Sequence, residues 1–286
     1  MKVLNFGSLN IDYVYKVKNF VTAGETVKSE NLVIKVGGKG LNQSVAMARA
    51  GLQVFHAGLI GEDGRFLDDF LKRDGVNTEN IRISEIPTGH AIIQVDEKGE
   101  NCILLFGGAN QSISEGFADE VLSNFSEGDY LILQNETNIV PYLMDKAYEK
   151  GMKIIFNPSP ITENMLSFPL EKVSLFILNE IEGEALTGES DEDKIIDMLL
   201  EKYPVSDFIL TLGDKGAVYF NKNQRISVDA EKVEVVDTTA AGDTFTGYFI
   251  ASTVQGKSVE EALSVATKAA AKAVTVSGAA ESIPYM

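Results

Sequence analysis

Six short apolar runs, "KVLNFG", "VFHAGLIG", "YLILQ", "KIIFN", "LFILN" and "FILTLG", alternate along the chain with segments of helix length. Runs of this kind suit strands of a mostly parallel sheet buried beneath helices, the rhythm of βαβ units. Each ends in Gly, Asn or Gln, where a chain leaves a sheet and where open α/β sheets place their ligand sites. Amphipathic stretches at 41–50, 141–150, 191–203 and 244–255 supply crossover helices. No internal repeat and no low-complexity linker divides the 286 residues, which read as one main α/β domain.

Two regions break the rhythm. Residues 13–36, with "YVYKV" and "NLVIKV", and residues 88–106, with "AIIQV" and "CILLF" flanking "DEKGEN", alternate like half-exposed antiparallel strands. They predict a small antiparallel β-sheet added to a core made of 1–12, 37–87 and 107–286. The first insert follows Asn10 and Asp12 and rejoins the core at "GGKGLNQ", the connectivity of a lid hinged at the mouth of the main sheet. An exposed sheet of this kind can equally serve as a dimer interface, and the two roles are compatible.

Charge limits the partners. With 42 acidic against 25 basic side chains and a net charge of −17, the chain is repelled by nucleic-acid backbones and anionic membranes. A phosphate-bearing small molecule would have to be held by local devices: backbone amides, a few lysines or a metal ion. The single cysteine, Cys102, permits no intramolecular disulfide, and two histidines, His56 and His90, are too few for an obvious metal cluster. "MKVLNFGSLNID" lacks signal-peptide architecture, and the longest charge-free run, 101–114, is too short to cross a bilayer. A soluble cytoplasmic protein is expected.

Two glycine-rich stretches open helices. "VGGKGLNQS" (36–44) suggests a phosphate cradle, with a plain turn as the alternative; it fits neither the dinucleotide fingerprint nor the Walker A loop, since Lys39 is followed by Gly40. In "VEVVDTTAAGDTFTGYFIAS" (233–252) a β-branched run ends at Asp237, a loop of small residues follows, and a helix begins around Gly242. Its first N–H groups and macrodipole favour an anion, and Ala240, Ala241 and Gly242 offer little bulk to exclude one. The competing reading is that Asp243 merely satisfies those amides, a stabilisation of about 0.5–2 kcal/mol.

The ordered series "GSLNID", "GGKGLNQ", "GGAN", "LQNE", "NPSP", "LNEIEGEALTG", "TLGDKGAVYF" and "VVDTTAAGDTFTG" resembles the ribokinase-like (PfkB) carbohydrate kinases, from Gly7 to Pro284. The resemblance implies a three-layer α/β/α core with a β-sheet lid, and ATP-dependent transfer of phosphate to a sugar hydroxyl, D-ribose to D-ribose 5-phosphate being the expected reaction. Another pentose, a ketohexose or a nucleoside are alternative acceptors, and a non-catalytic sugar sensor is the alternative outside enzymes. By the same resemblance Asp243 is the general base, and the amides of Ala240, Ala241 and Gly242 form an anion hole. Asn10, Asp12, Gly38, Lys39, Asn42 and Glu136 resemble the sugar-binding set. Asn179 and Glu182 match an Asn-x-x-Glu motif that organises Mg²⁺ and phosphate, while Thr211, Gly213, Gly216 and Thr267 fall at nucleotide-channel positions. Asp237 and Thr239, backbone oxygens of Ala273, Val276 and Gly278, and the hydroxyl of Ser282 resemble a K⁺ site. An exposed lid sheet leads us to expect a homodimer through it.

Structural alternatives stand beside these roles: Glu182 as a first-turn helix acid, Lys39 as a solvated loop charge, Ser282 as a loop residue. The chain departs from its relatives at Phe106, where a His usually precedes the segment matching "GGAN", and at Thr267, where a His or Asn is common. It ends at "SIPYM", without the final helix many relatives carry.

Overall fold

Along the buried strands, alternate residues enter two separate cores. In the computed structural model, which describes all 286 residues, Leu131, Leu133, Ile154, Phe156, Phe176, Leu178, Phe208 and Leu210 point to one face of the main sheet. Ile132, Ile155, Ile177 and Ile209 point to the other. A strand apolar on both faces can only be satisfied between two helix layers, which fixes an α/β/α sandwich.

The elements follow in chain order as β1 (Val3–Phe6), β2 (Asn10–Lys16), β3 (Asn31–Gly37), α1 (Lys39–Arg49), β4 (Val54–Ile60), α2 (Arg65–Arg73), β5 (Asn77–Ile83), β6 (Gly89–Val95) and β7 (Asn101–Phe106). Then come α3 (Glu115–Leu122), β8 (Tyr130–Gln134), α4 (Val140–Glu149), β9 (Lys153–Asn157), β10 (Leu175–Asn179), α5 (Glu180–Thr187) and α6 (Glu192–Lys202). The last are β11 (Asp207–Thr211), β12 (Ala217–Asn221), β13 (Gln224–Val228), α7 (Ala241–Val254) and α8 (Val259–Ala273).

The main sheet has the order β13-β12-β11-β10-β9-β8-β1-β4-β5, parallel from β11 to β5 and closed at one edge by the antiparallel β12 and β13. Helices α3 to α6 contribute to one core, α1, α2, α7 and α8 to the other. Phe176 stacks on Phe208 and Phe208 on Phe220, at 5.2 and 5.1 Å between ring centroids. Strand order reverses between β1 and β8, and such a reversal opens a crevice beyond the carboxyl ends of the two strands.

A second sheet, β3-β2-β6-β7, stands beside that crevice. Its two hairpin pairs, β2–β3 and β6–β7, are antiparallel and join through a parallel β2–β6 ladder. Every residue of β7 is exposed. The run 233–236, read from sequence as leading to a strand end at Asp237, forms no strand; Val236 and Asp237 instead both donate their N–H to the Val274 carbonyl oxygen.

Candidate active site

Helices α1 and α7 bring the site together. They approach because Gly247 has no side chain: a Cβ built there would lie 2.4 Å from Ala46 Cβ and 2.8 Å from the Met47 nitrogen. At this distance two α1 amides reach Asp243. Asn42 Nδ2 donates to Oδ2 and Gln43 Nε2 to Oδ1, both at 2.9 Å. Asp243 is 6% exposed, and the start of α7 has no side-chain cap. The capping reading of Asp243 is thereby excluded, since both its oxygens face α1.

The two glycine-rich helix starts differ in what their amides do. At α1, Lys39 N–H donates to Glu136 Oε2 (3.0 Å), Gly40 N–H to Ser8 Oγ (3.1 Å) and Leu41 N–H to the Ser8 carbonyl (2.9 Å). Ser8 Oγ in turn donates to Glu136. The cradle suggested by "VGGKGLNQS" is therefore already filled by the protein's own carboxylate and hydroxyl. Gly38, φ 95°, turns the chain into this helix in a conformation that strongly favours glycine. At α7 the situation is reversed. Ala241 N–H makes a 3.2 Å turn bond to the Thr238 carbonyl, whereas Ala240, Gly242 and Asp243 N–H groups find no acceptor in the protein. Ala240 sits at φ 60°, the sole non-glycine residue in left-handed backbone, a conformation that costs of order 1–3 kcal/mol and clusters at functional sites.

These free amides border a cleft lined also by Lys39, Asn157, Asn179, Glu182 and Thr211. Lys39 is half-buried rather than a solvated loop charge, and its ammonium makes no ion pair or hydrogen bond with the chain. Burial opposes its charge, but the nearby carboxylates of Asp243, Glu136 and Glu182 hold its pKa above the usual lysine value. An unpaired ammonium beside unpaired N–H groups is suited to a phosphate. Asn179 and Glu182 form a reciprocal capping box on α5: Asn179 Oδ1 accepts from Glu182 N–H at 2.9 Å and Glu182 Oε2 from Asn179 N–H at 3.0 Å. The reading of Glu182 as a first-turn helix acid is thus met, and the same box places the side chain at the cleft wall. Burial pushes the Glu182 carboxyl up.

The remaining predicted sugar residues are held by burial and hydrogen bonds. Asn10 is buried and its Oδ1 accepts from Asn110 Nδ2 at 2.8 Å. Asn42 Oδ1 is buried with no partner, an acceptor left for a ligand hydroxyl. Burial, reinforced by Glu136 and Glu281 and opposed by Lys35, pushes the Asp12 carboxyl up to about 7. Burial likewise raises Glu136.

Asp237 ties two loops. Its Oδ1 accepts from the N–H and hydroxyl of Thr239 at 2.9 and 2.6 Å, and its Oδ2 from the N–H of Gly278 at 3.0 Å and Ser277 Oγ at 3.4 Å. Burial opposes ionisation of Asp237, yet these hydrogen bonds and Lys35 hold its pKa below the usual carboxylate value. Ser282 Oγ donates to the Ala279 carbonyl at 2.9 Å, and the Ala273 carbonyl accepts from Val276 N–H at 3.2 Å.

The nucleotide-channel positions are more scattered. Thr211 lines the cleft. Gly213 stands in open space, and Gly216 is required by packing, since a Cβ there would lie 2.0 Å from the Val228 carbonyl. Thr267 is buried on α8 with an unpartnered hydroxyl and does not border the cleft. Sequence reasoning missed Ser8, Gln43, Asn110 and Asn157 as individual residues. Asn157 was signalled as a strand end, and the others lie inside the quoted motifs.

Comparison with known proteins identifies the family. The pattern of the pfkB family carbohydrate kinases matches residues 1–286. A ribokinase of Schizosaccharomyces pombe is 36% identical over 308 residues, covering 100% of this chain and 96% of that protein. The structure resembles that of a Cryptococcus neoformans ribokinase in complex with ADP, at TM-score 0.86 and 34% identity over 99% of this chain and 96% of that one. It also resembles an Arabidopsis thaliana ribokinase complexed with ribose and ATP, at TM-score 0.87 and 29% identity over 99% and 95% of the two chains. With a family match over its whole length and these relatives, the chain belongs to the pfkB family of carbohydrate kinases.

Proposed function

We propose that this chain transfers the γ-phosphate of ATP to a hydroxyl of D-ribose, giving D-ribose 5-phosphate. The observation that carries the reading is the position of Asp243. It lines a cleft with free helix amides and an unpaired lysine, and it is held there by Asn42, whose own amide oxygen is left without a partner. The ribose and ATP bound by the Arabidopsis relative supply the substrate class.

In this reading Asp243 takes the proton of the sugar hydroxyl as that oxygen attacks the γ-phosphorus, the bond to the β-phosphate oxygen breaks and ADP leaves. The N–H groups at Ala240 to Gly242, with Lys39, stabilise charge on the transferring group. Asn10, Asp12, Gly38, Asn42 and Glu136 orient the sugar, and Thr211, Gly213 and Gly216 flank the nucleotide.

No group of three or more acidic, histidine or cysteine side chains forms a metal cage, which fits Mg²⁺ held largely by phosphate and water beside Asn179 and Glu182. Bound there, Mg²⁺ neutralises charge on the nucleotide phosphates. The Asp237 carboxylate joins loops 237–239 and 277–278, an arrangement that fits K⁺ held by Asp237, Thr239, the carbonyls of Ala273, Val276 and Gly278, and the Ser282 oxygen. The four-stranded sheet, whose strands lie within 10–37 and 89–106, acts as a lid that excludes water. The exposed apolar residues of β7 support its second role as a homodimer interface. No helix is long and apolar enough to cross a membrane, and a cytoplasmic site of action fits the sugar chemistry. The direct test is a panel of sugars and nucleosides with ATP, read as ADP release with and without K⁺. Turnover of ribose above all others is expected, and preference for a nucleoside would replace the reading.

A further inference from the structure

Gln43 makes the second hydrogen bond to Asp243, and it is completely buried. While Nε2 donates to Asp243 Oδ1 at 2.9 Å, its Oε1 accepts from Gln134 Nε2 at 2.7 Å. Gln134 Nε2 also donates to Asn5 Oδ1 at 2.9 Å. Asn5 Nδ2 donates to the Gly40 carbonyl and to Ser44 Oγ, both at 2.8 Å.

A side-chain amide can be turned either way, so the polarity of a chain of amides is set by the member that cannot turn. Here that member is the Gly40 carbonyl, which only accepts. It requires Asn5 to present Nδ2 to it and Oδ1 to Gln134. Gln134 must then present Nε2, so Gln43 turns Oε1 toward Gln134 and N–H toward Asp243. A second backbone carbonyl gives the same answer: Asn157 Nδ2 donates to the Ile177 oxygen at 2.9 Å, leaving Asn157 Oδ1 facing Gln43 Nε2 at 3.4 Å. Two independent anchors therefore aim one donor at the carboxylate.

We propose that Gln43 is a positioning residue for phosphoryl transfer, oriented from the Gly40 carbonyl through Asn5 and Gln134 so that the Asp243 side chain is held fixed. The inference rests on the reading of Asp243 as general base. The charged groups facing Asp243 are Lys39 on α1, Glu136 after β8 and Glu182 on α5, one cation against two further carboxylates. Neutral donors that cannot swing away are what such a site needs. Asn42 serves one oxygen and Gln43 the other, and no proton passes along the amides.

The test compares Gln43→Met, Gln43→Glu and Asp243→Asn with wild type, using melting temperature and ribose Kd to establish folding. Gln43→Met should lower kcat by about 10- to 100-fold, below the roughly 10²–10⁴-fold supplied by a general base, with ribose Kd nearly unchanged. In Gln43→Glu two adjoining carboxyls share one proton. At low pH the introduced carboxyl offers a carbonyl oxygen to Gln134 and a hydroxyl to Asp243, reproducing the original polarity. Activity should therefore persist at low pH and fall as pH rises, an alkaline loss that wild type lacks. Combining Gln43→Met with Gln134→Met should lower kcat no further than Gln43→Met alone. Wild-type kcat in Gln43→Met, or a Gln43→Glu pH profile parallel to wild type, overturns the role of Gln43 while wild-type turnover and an inactive Asp243→Asn leave the base reading standing. Near-normal turnover in Asp243→Asn overturns both.

Discussion

Asn42 and Asp243, 201 positions apart, are joined by a 2.9 Å hydrogen bond between Nδ2 and Oδ2. The bond links α1 to the start of α7; in the proposed function it would register the proton acceptor against both sugar and phosphate. Asp243→Asn keeps the shape and removes the base. Turnover should fall by about 10²–10⁴-fold with ribose affinity by calorimetry little changed; a rate within tenfold of wild type removes Asp243 from the chemistry.

Gly242 and Gly247 should respond oppositely to alanine. A Cβ at Gly242 meets no protein atom within 4 Å, whereas one at Gly247 collides with α1. Gly242→Ala should melt at the same or a higher temperature, since alanine is favoured over glycine in a helix by up to about 1 kcal/mol, while its methyl obstructs phosphate and lowers turnover. Gly247→Ala should lose about 1–3 kcal/mol by overpacking. Thermal melts and ADP release on the two variants check the ranking, and a destabilised Gly242→Ala contradicts it.

Asp12 predicts a pH dependence. Its carboxyl is raised from 3.8 to about 7 in the fold, so the native state binds that proton more tightly than the unfolded chain. The Asp12 contribution to stability is therefore complete below the ordinary carboxylate range and is lost as pH rises through about 7. Sugar hydroxyls donate to the ionised form, so ribose affinity should rise over the same window with release of a proton. Calorimetry near pH 6 in buffers of different ionisation enthalpy measures that proton, and Asp12→Asn should abolish it. Equal heats in both buffers for wild type would refute the linkage.

The loops tied by Asp237 give a cation test. Replacing K⁺ by tetramethylammonium should lower kcat, and Asp237→Ala should reproduce the loss in K⁺ buffer. Identical rates in the two salts remove the cation from the proposed function.

Leu104 is 67% exposed on β7. Leu104→Asp should convert a dimer to monomer in sedimentation velocity without lowering the melting temperature of the monomer, and a wild-type chain that sediments as a monomer sinks the interface.

The sequence carried much of the fold because parallel strands buried on both faces write themselves as unbroken apolar runs: all six became β1, β4, β8, β9, β10 and β11. β5, "NTENIRI", was illegible because an edge strand needs no such run. Conversely, Val235 and Val236 look β-prone but are exposed, and Val236 has a loop carbonyl rather than a strand as partner. At the site, residue types were readable while the state of their backbone groups was not. The amides of α1 are occupied by Ser8 and Glu136, at separations of 32 and 97 residues, and only tertiary contact reveals that the similar helix start at 240–243 keeps amides free. Gln43 reads locally as an ordinary polar helix residue; its meaning comes from Gln134 and Asn5.

Asn10 and Asp12 belong to β2, the strand that pairs with both β3 and β6 in the smaller sheet. With that sheet as the proposed lid and these two residues as the proposed sugar ligands, a shutter whose slats also carry the grip could not swing without loosening its hold. The tightness of ribose retention and the angle of the sheet would then be one mechanical variable, which a mutation distant from the sugar would change by changing how the sheet rests.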